Sequence, residues 1–160
     1  MLLDSRNSLL GFAERVRRNL VFINFARNVE ADVHVVTALM TSLQGLIVFP
    51  VEAIKAAGYK GFQLRTMESL VSAGWPNWEF ELGSSPTLHD LLFHLRNAIS
   101  HRRVWFSSDS RKLEEVRITF SDQKPKENAV YWVATINGAD LKEFVLRLAE
   151  LLHHIEQYEN

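Results

Sequence analysis

The sequence predicts a mainly α fold: an up-and-down helical bundle with one β-hairpin inserted before its last helix. Three observations carry that expectation. Apolar residues recur at helical spacing through the first hundred residues, the period drops to two over a pair of later segments, and a helical stripe then returns. No linker, repeat or low-complexity tract divides the chain, so residues 1–160 read as one domain.

Leu9, Ala13, Val16, Leu20 and Ile23 fall at i, i+4, i+7, i+11 and i+14 and set one apolar stripe along a first helix, with Arg15, Arg17 and Arg18 on its other sides. Asp32 is placed to cap a second helix, in which Val33, Val36, Met40, Leu43 and Ile47 repeat. Pro50 should interrupt or kink it, since proline removes a hydrogen bond and clashes with the preceding turn. Gly58 offers a left-handed stop. A short helix is expected around Gln63 to Val71, ending near Gly74 before Trp75-Pro76. Thr87 and Asp90 have capping-box spacing and open a helix over 87–102. Val116, Ile118 and Phe120 then alternate with polar residues as a half-buried strand, Asp122 to Asn128 reads as a turn, and Val130 to Ile136 as a second strand. Such a hairpin is marginal alone and must pack on the helices. Asn137 caps a last helix, where Leu141, Phe144, Val145, Leu148, Leu151, Leu152 and Ile155 keep helical spacing without a miss.

The composition narrows the function. The 160 residues contain no cysteine, which excludes disulfides, thiolate zinc sites and cysteine nucleophiles and fits a reducing, cytoplasmic compartment. The longest apolar stretches, such as Leu46 to Val51, fall far short of the roughly 20 residues of a membrane span. The opening Met-Leu-Leu-Asp-Ser-Arg has an acid where a signal peptide carries bases. A formal net charge of −1 excludes a chain that coats nucleic acid by bulk electrostatics. That total is an average. Residues 94–112 hold Arg96, Arg102, Arg103, Arg111 and Lys112 against Asp109, a net of +4, whereas residues 137–160 carry −3.

The chemistry concentrates on the 87–102 helix. Leu88, Leu91, Leu92, Leu95, Ala98 and Ile99 share one face at about 100° per residue. Asp90, His94, Asn97 and His101 form one polar row, and Arg96, Ser100 and Arg103 a second beside it. Phe93 sits between the rows, an apolar ring in a polar patch, which suits an interface better than this chain's own core. Histidine moves protons near neutral pH, and guanidinium holds phosphate bidentately as charge builds. Asn97, one turn before His101, can orient the imidazole or hold a phosphate oxygen. The same row also suits a solvated helix face. Asp90, His94 and His101 lack a further acid to complete a metal set, so no metal or other cofactor is expected. Trp75, Trp78 and Trp132 read as packing residues, while Trp105 directly follows the motif and could stack a base.

The run Arg96-Asn97-Ala98-Ile99-Ser100-His101 resembles the RNxxxH signature of HEPN domains, whose loose form is Arg-x(4–6)-His. The loose pattern also occurs from Arg27 to His34 and from Arg147 to His153 or His154, without the following asparagine in the second case and without the helix-end setting in either. The resemblance is strongest over 87–121, where a subgroup common in bacterial mobile elements reads similarly, and it extends to the whole chain as an HEPN-like architecture. One departure is Arg102, where many members have a small residue. The resemblance implies a metal-independent endoribonuclease of toxin or phage-defence type, with His101 as general acid or base, Arg96 as phosphate stabiliser and Asn97 beside them. It implies a homodimer whose two motifs share one cleft. Arg96 and His101 stand about 140° apart around the helix, so a two-fold partner would supply the missing group. Arg102, Arg103, His94 and Ser100 are then the candidate RNA contacts, Phe93 the interface residue, and a cognate antitoxin a further partner. The competing expectation is a non-catalytic HEPN module that binds RNA or nucleotides, or dimerises.

Overall fold

A computed structural model describes residues 9–29, 34–56, 62 and 64–158. The chain divides into two compact units, one of residues 1–58 with 142–160 and one of residues 59–141.

The first unit contains helices α1 (Leu9–Asn28) and α2 (Val35–Ala56) and most of the last helix, α5 (Gly138–Tyr158). The expected α1 stripe is buried at Ala13, Val16 and Leu20. In α2 the buried row is Val35, Leu39, Leu43, Leu46 and Ile47, with Val36 and Met40 at its margin, so the stripe lies one row beside the expected one. Pro50 neither ends nor interrupts α2, which runs through it to Ala56. Five buried apolar side chains earlier in the helix hold it against the lost hydrogen bond, because packing outweighs local propensity. The Asp32 cap and the Gly58 stop lie outside the described residues. Phe144, Val145, Leu148, Ala149 and Leu152 complete this core.

The second unit mixes α and β. It contains α3 (Met67–Ser72), β1 (Glu79–Leu82), α4 (Leu88–Ser100), β2 (Val104–Phe106), a 3-10 turn (Leu113–Glu115), β3 (Arg117–Gln123) and β4 (Val130–Asn137). The expected hairpin is present as β3–β4, but at the centre of a four-stranded antiparallel sheet of order β1-β4-β3-β2. This corrects the expectation of a bundle with a lone hairpin. Two strands alone leave backbone groups unpaired on both sides, and β1 and β2 satisfy them.

The register Ile118↔Ile136, Phe120↔Ala134, Asp122↔Trp132 puts those residues on one sheet face, all of them buried. Helix α4 packs on β3 through Leu88, Leu91, Leu92, Leu95 and Ala98, each essentially inaccessible. Each buried leucine contributes about 1.5–3 kcal/mol, so this face fixes the position of α4. The expected cap is present in full: Asp90 N–H donates to Thr87 Oγ1 at 3.2 Å, and Thr87 N–H to Asp90 Oδ2 at 3.1 Å. Asn137 likewise caps α5, its Oδ1 accepting from Ala139 N–H at 2.9 Å. Gly138 is required there, since a Cβ would lie 2.7 Å from the Leu113 carbonyl oxygen. No helix among the described residues is long and apolar enough to cross a membrane.

Candidate functional site

The third core-facing position of β3 carries a carboxylate. Ile118 and Phe120 continue the strand alternation, and Asp122 follows at the next inward position with 1% of its surface exposed. Asp122 is not in the expected turn but inside the strand, which runs to Gln123 and turns only afterwards. A buried carboxylate needs several hydrogen bonds to stay in place, and Asp122 has them. Asn97 Nδ2 donates to Oδ2 at 2.9 Å, and Tyr131 OH donates to the same oxygen at 2.9 Å. His94 Nδ1 lies 2.9 Å from it. Oδ1 accepts from Gln123 N–H at 2.8 Å, and Arg103 stands 3.8 Å from it.

Burial pushes the Asp122 carboxyl up, but the hydrogen bonds from His94, Asn97, Tyr131 and the Gln123 N–H together outweigh it and leave the group below its ordinary value. Tyr131 moves the other way, to about 12, because burial and the neighbouring carboxylate both oppose a phenolate. The His94 ring stacks on Trp132 at 4.8 Å and 19°, and Trp132 Nε1 in turn donates to Ser85 Oγ at 3.0 Å.

The predicted polar row of α4 therefore has three destinations. Asp90 closes the N-terminal cap, His94 and Asn97 bind Asp122, and His101 is exposed at the C-terminal end. Asn97 spends its side-chain donor on the interior, one turn before His101, while its carbonyl accepts the His101 N–H at 3.0 Å. Asp122 thus holds the end of α4 from inside. Arg96 is half-buried, Arg103 is partly buried beside Asp122, and Ser100 and Arg102 are exposed. Phe93 is 42% exposed, as expected of a ring between the polar rows. Among the described residues no three His, Asp or Glu side chains converge as a metal site.

Sequence reasoning missed Asp122, Tyr131 and the Trp132 stack. One signal was available for Asp122: the alternation of Ile118 and Phe120, extended by one step, places it inward.

Helix α4 ends in a Schellman motif. Arg102 N–H donates to Ile99 O at 3.2 Å and Arg103 N–H to Ala98 O at 2.8 Å. Helix α3 ends the same way, with Gly74 N–H on Val71 O and Trp75 N–H on Leu70 O, both at 2.9 Å. The motif puts its C′ residue in the left-handed region. At α3 that residue is Gly74 with φ 87°, and at α4 it is Arg102 with φ 57°. A residue with a Cβ pays about 1 kcal/mol for that backbone conformation, which glycine adopts freely. One chain thus closes the same device once with the favoured residue and once with an arginine next to the motif histidine.

A family model described as HEPN pEK499 p136 matches residues 3–159. No curated protein and no solved structure matches the chain.

Proposed function

The chain belongs to the HEPN family, and on that premise we propose that it is a metal-independent endoribonuclease of toxin or phage-defence type, acting in the cytoplasm as a homodimer. His101 moves the proton, as base toward the ribose 2′-OH or as acid toward the leaving 5′-oxygen. Arg96 offsets the charge that builds on the phosphate. The 2′-oxygen bonds to phosphorus, the 5′-oxygen leaves with a proton, and the products are a 2′,3′-cyclic phosphate and a 5′-OH. Asn97 is a positioning residue in this scheme, because its donor is held by Asp122.

The observation that supports the reading most directly is the state of His101. Its imidazole is exposed and unengaged among the described residues, at the end of a helix anchored from within through Asn97. A proton-transfer group needs that combination of open access and fixed position.

Incubation of the purified chain with 5′-labelled RNA in EDTA tests it. Cleavage with cyclic-phosphate ends is the expected result. RNA bound but left intact would support the non-catalytic binding module instead, and cleavage abolished by EDTA would replace the mechanism with a metal-dependent one. The composite cleft rests on Phe93 at the interface, with Ser100, Arg102 and Arg103 toward the RNA, whereas His94, expected among the RNA contacts, is turned inward onto Asp122 and Trp132. Light scattering should give twice the monomer mass for the wild type and a monomer for Phe93→Glu. A monomeric wild type removes the shared cleft. In a toxin, this dimer is also the target of a cognate antitoxin protein.

A further inference from the structure

His101, Arg102 and Trp105 are all exposed, and none of their side chains makes a hydrogen bond, ion pair or ring contact among the described residues. Trp105 is 55% exposed and sits in β2, a three-residue edge strand. Its position is nonetheless fixed. Val104, Trp105 and Phe106 pair with Phe120, Thr119 and Ile118, and Arg103 extends the ladder by accepting from Ser121 N–H at 3.1 Å.

Cross-strand partners share a sheet face. The indole therefore stands in a row with Thr119 and Thr135, whose hydroxyls bond each other at 2.8 Å, on the face opposite the buried Phe120 and Ala134. An indole beside a threonine pair has no apolar neighbour on that row to pack against. Along the chain, residues 101–112 hold Arg102, Arg103, Arg111 and Lys112 against Asp109. Of these, Arg103 stands beside Asp122 and Lys112 pairs with Glu115, which leaves Arg102 as the cation nearest in sequence to the indole with no such pairing among the described residues. Arg102 keeps its charge at a backbone position where the same chain elsewhere uses glycine, and strain retained beside a candidate site points to use of the side chain.

We infer that Trp105 and Arg102 form a docking subsite for an unpaired nucleotide of single-stranded RNA, its base on the indole and its phosphate on the guanidinium. The subsite rests on the ribonuclease reading and names its substrate class. Two residues lie between Arg102 and Trp105, so their backbones are about 10 Å or less apart along the chain, within the reach of one nucleotide and its neighbouring phosphate. The base must be unpaired, because a base inside a duplex has both faces covered, and duplex RNA is contacted through its phosphates and 2′-hydroxyls instead. Stacking on an aromatic ring is tolerant of sequence, so the subsite selects strandedness rather than a particular base.

The test measures binding in the His101→Ala protein, so that cleavage does not consume the probe, with a fluorescein-labelled 12-nucleotide RNA offered single-stranded or annealed to its complement. Single-stranded RNA should bind at least tenfold more tightly than the duplex. Adding Trp105→Ala should weaken single-strand binding about tenfold to a hundredfold, with most of the affinity kept by Trp105→Phe. Arg102→Gly should lower the slope of log affinity against log salt by about 0.7 while the melting temperature stays level or rises. Unchanged affinity in Trp105→Ala overturns the subsite, even if the wild type still cleaves RNA. Equal affinity for duplex overturns the substrate class. A wild type that binds single-stranded RNA as described but never cleaves it overturns the ribonuclease reading and leaves the subsite standing.

Discussion

His101→Ala lowers the rate of RNA cleavage by about 10² to 10⁴, the range expected when a general acid or base is removed. The fold should be untouched, since the imidazole is exposed and engages no other side chain among the described residues, and the helix end is closed by backbone hydrogen bonds alone. Exposed positions of this kind change stability by no more than about 0.5 kcal/mol. The loss should therefore fall on kcat, with RNA affinity and melting temperature near the wild type. Arg96→Ala should cost a comparable 10² to 10³ by removing charge stabilisation from the phosphate. Single-turnover cleavage in EDTA, with a melt of each variant, separates chemistry from folding. Persistent cleavage by His101→Ala would sink the proposed role.

Asp122→Ala has the opposite signature. Asn97, Tyr131 and His94 all turn toward one carboxylate oxygen, and its removal leaves the Asn97 amide without that partner and His94 and Tyr131 with only each other, 3.4 Å apart. An unsatisfied buried group costs about 1–3 kcal/mol, the costs do not add fully, and some water enters, so the expected loss is about 3 kcal/mol. For a chain of this size that lowers the melting temperature by about 6–12 °C. Asp122→Asn, which keeps an acceptor, should lose about half as much. Cleavage by Asp122→Ala should fall even well below its melting temperature, because Asn97 no longer anchors the turn before His101. Wild-type stability and activity in Asp122→Ala would remove Asp122 from the site.

The charge of Asp122 also sets an acid limb. Its folded value is depressed, so its contribution is complete above the unfolded value of about 3.9 and is lost as pH falls through the folded value. Tyr131, raised to about 12, contributes below its unfolded value of about 10 and loses that contribution as pH climbs toward 12. Denaturation followed against pH should show the wild type losing stability below about pH 4 more steeply than Asp122→Asn.

Much of this was legible because it is local. The Thr87–Asp90 box, the Asn137 cap, the apolar stripe of α5 and the β3–β4 alternation each depend on residues within a few turns or a short loop of one another. What escaped was non-local. The strands β1 and β2 are four and three residues long, too short for a period to show, and β1 finds its partner β4 about fifty residues further on. Asp122 escaped because a charged residue after an alternating run reads as the start of a turn. Its three side-chain hydrogen-bonding partners come from α4 and β4, and no spacing within β3 announces them. The polar row of α4 was read correctly as a row, yet only the tertiary fold decides that two of its members face inward and one faces solvent.

The sheet order also dictates a sequence of assembly. The β3–β4 hairpin closes over a short loop and can form early, whereas β1 joins β4 across nearly fifty residues and bears a larger entropic cost of closure. The Asp122 cluster draws on α4, β3 and β4 but not on β1. On the ribosome, the anchor behind His101 has no phenol to complete it until Tyr131 has emerged. A nascent chain stopped short of β4 therefore carries the Asn97–Asp122 bond without the Tyr131 hydroxyl that shares the same oxygen, and the support behind His101 is complete only once the hairpin has closed.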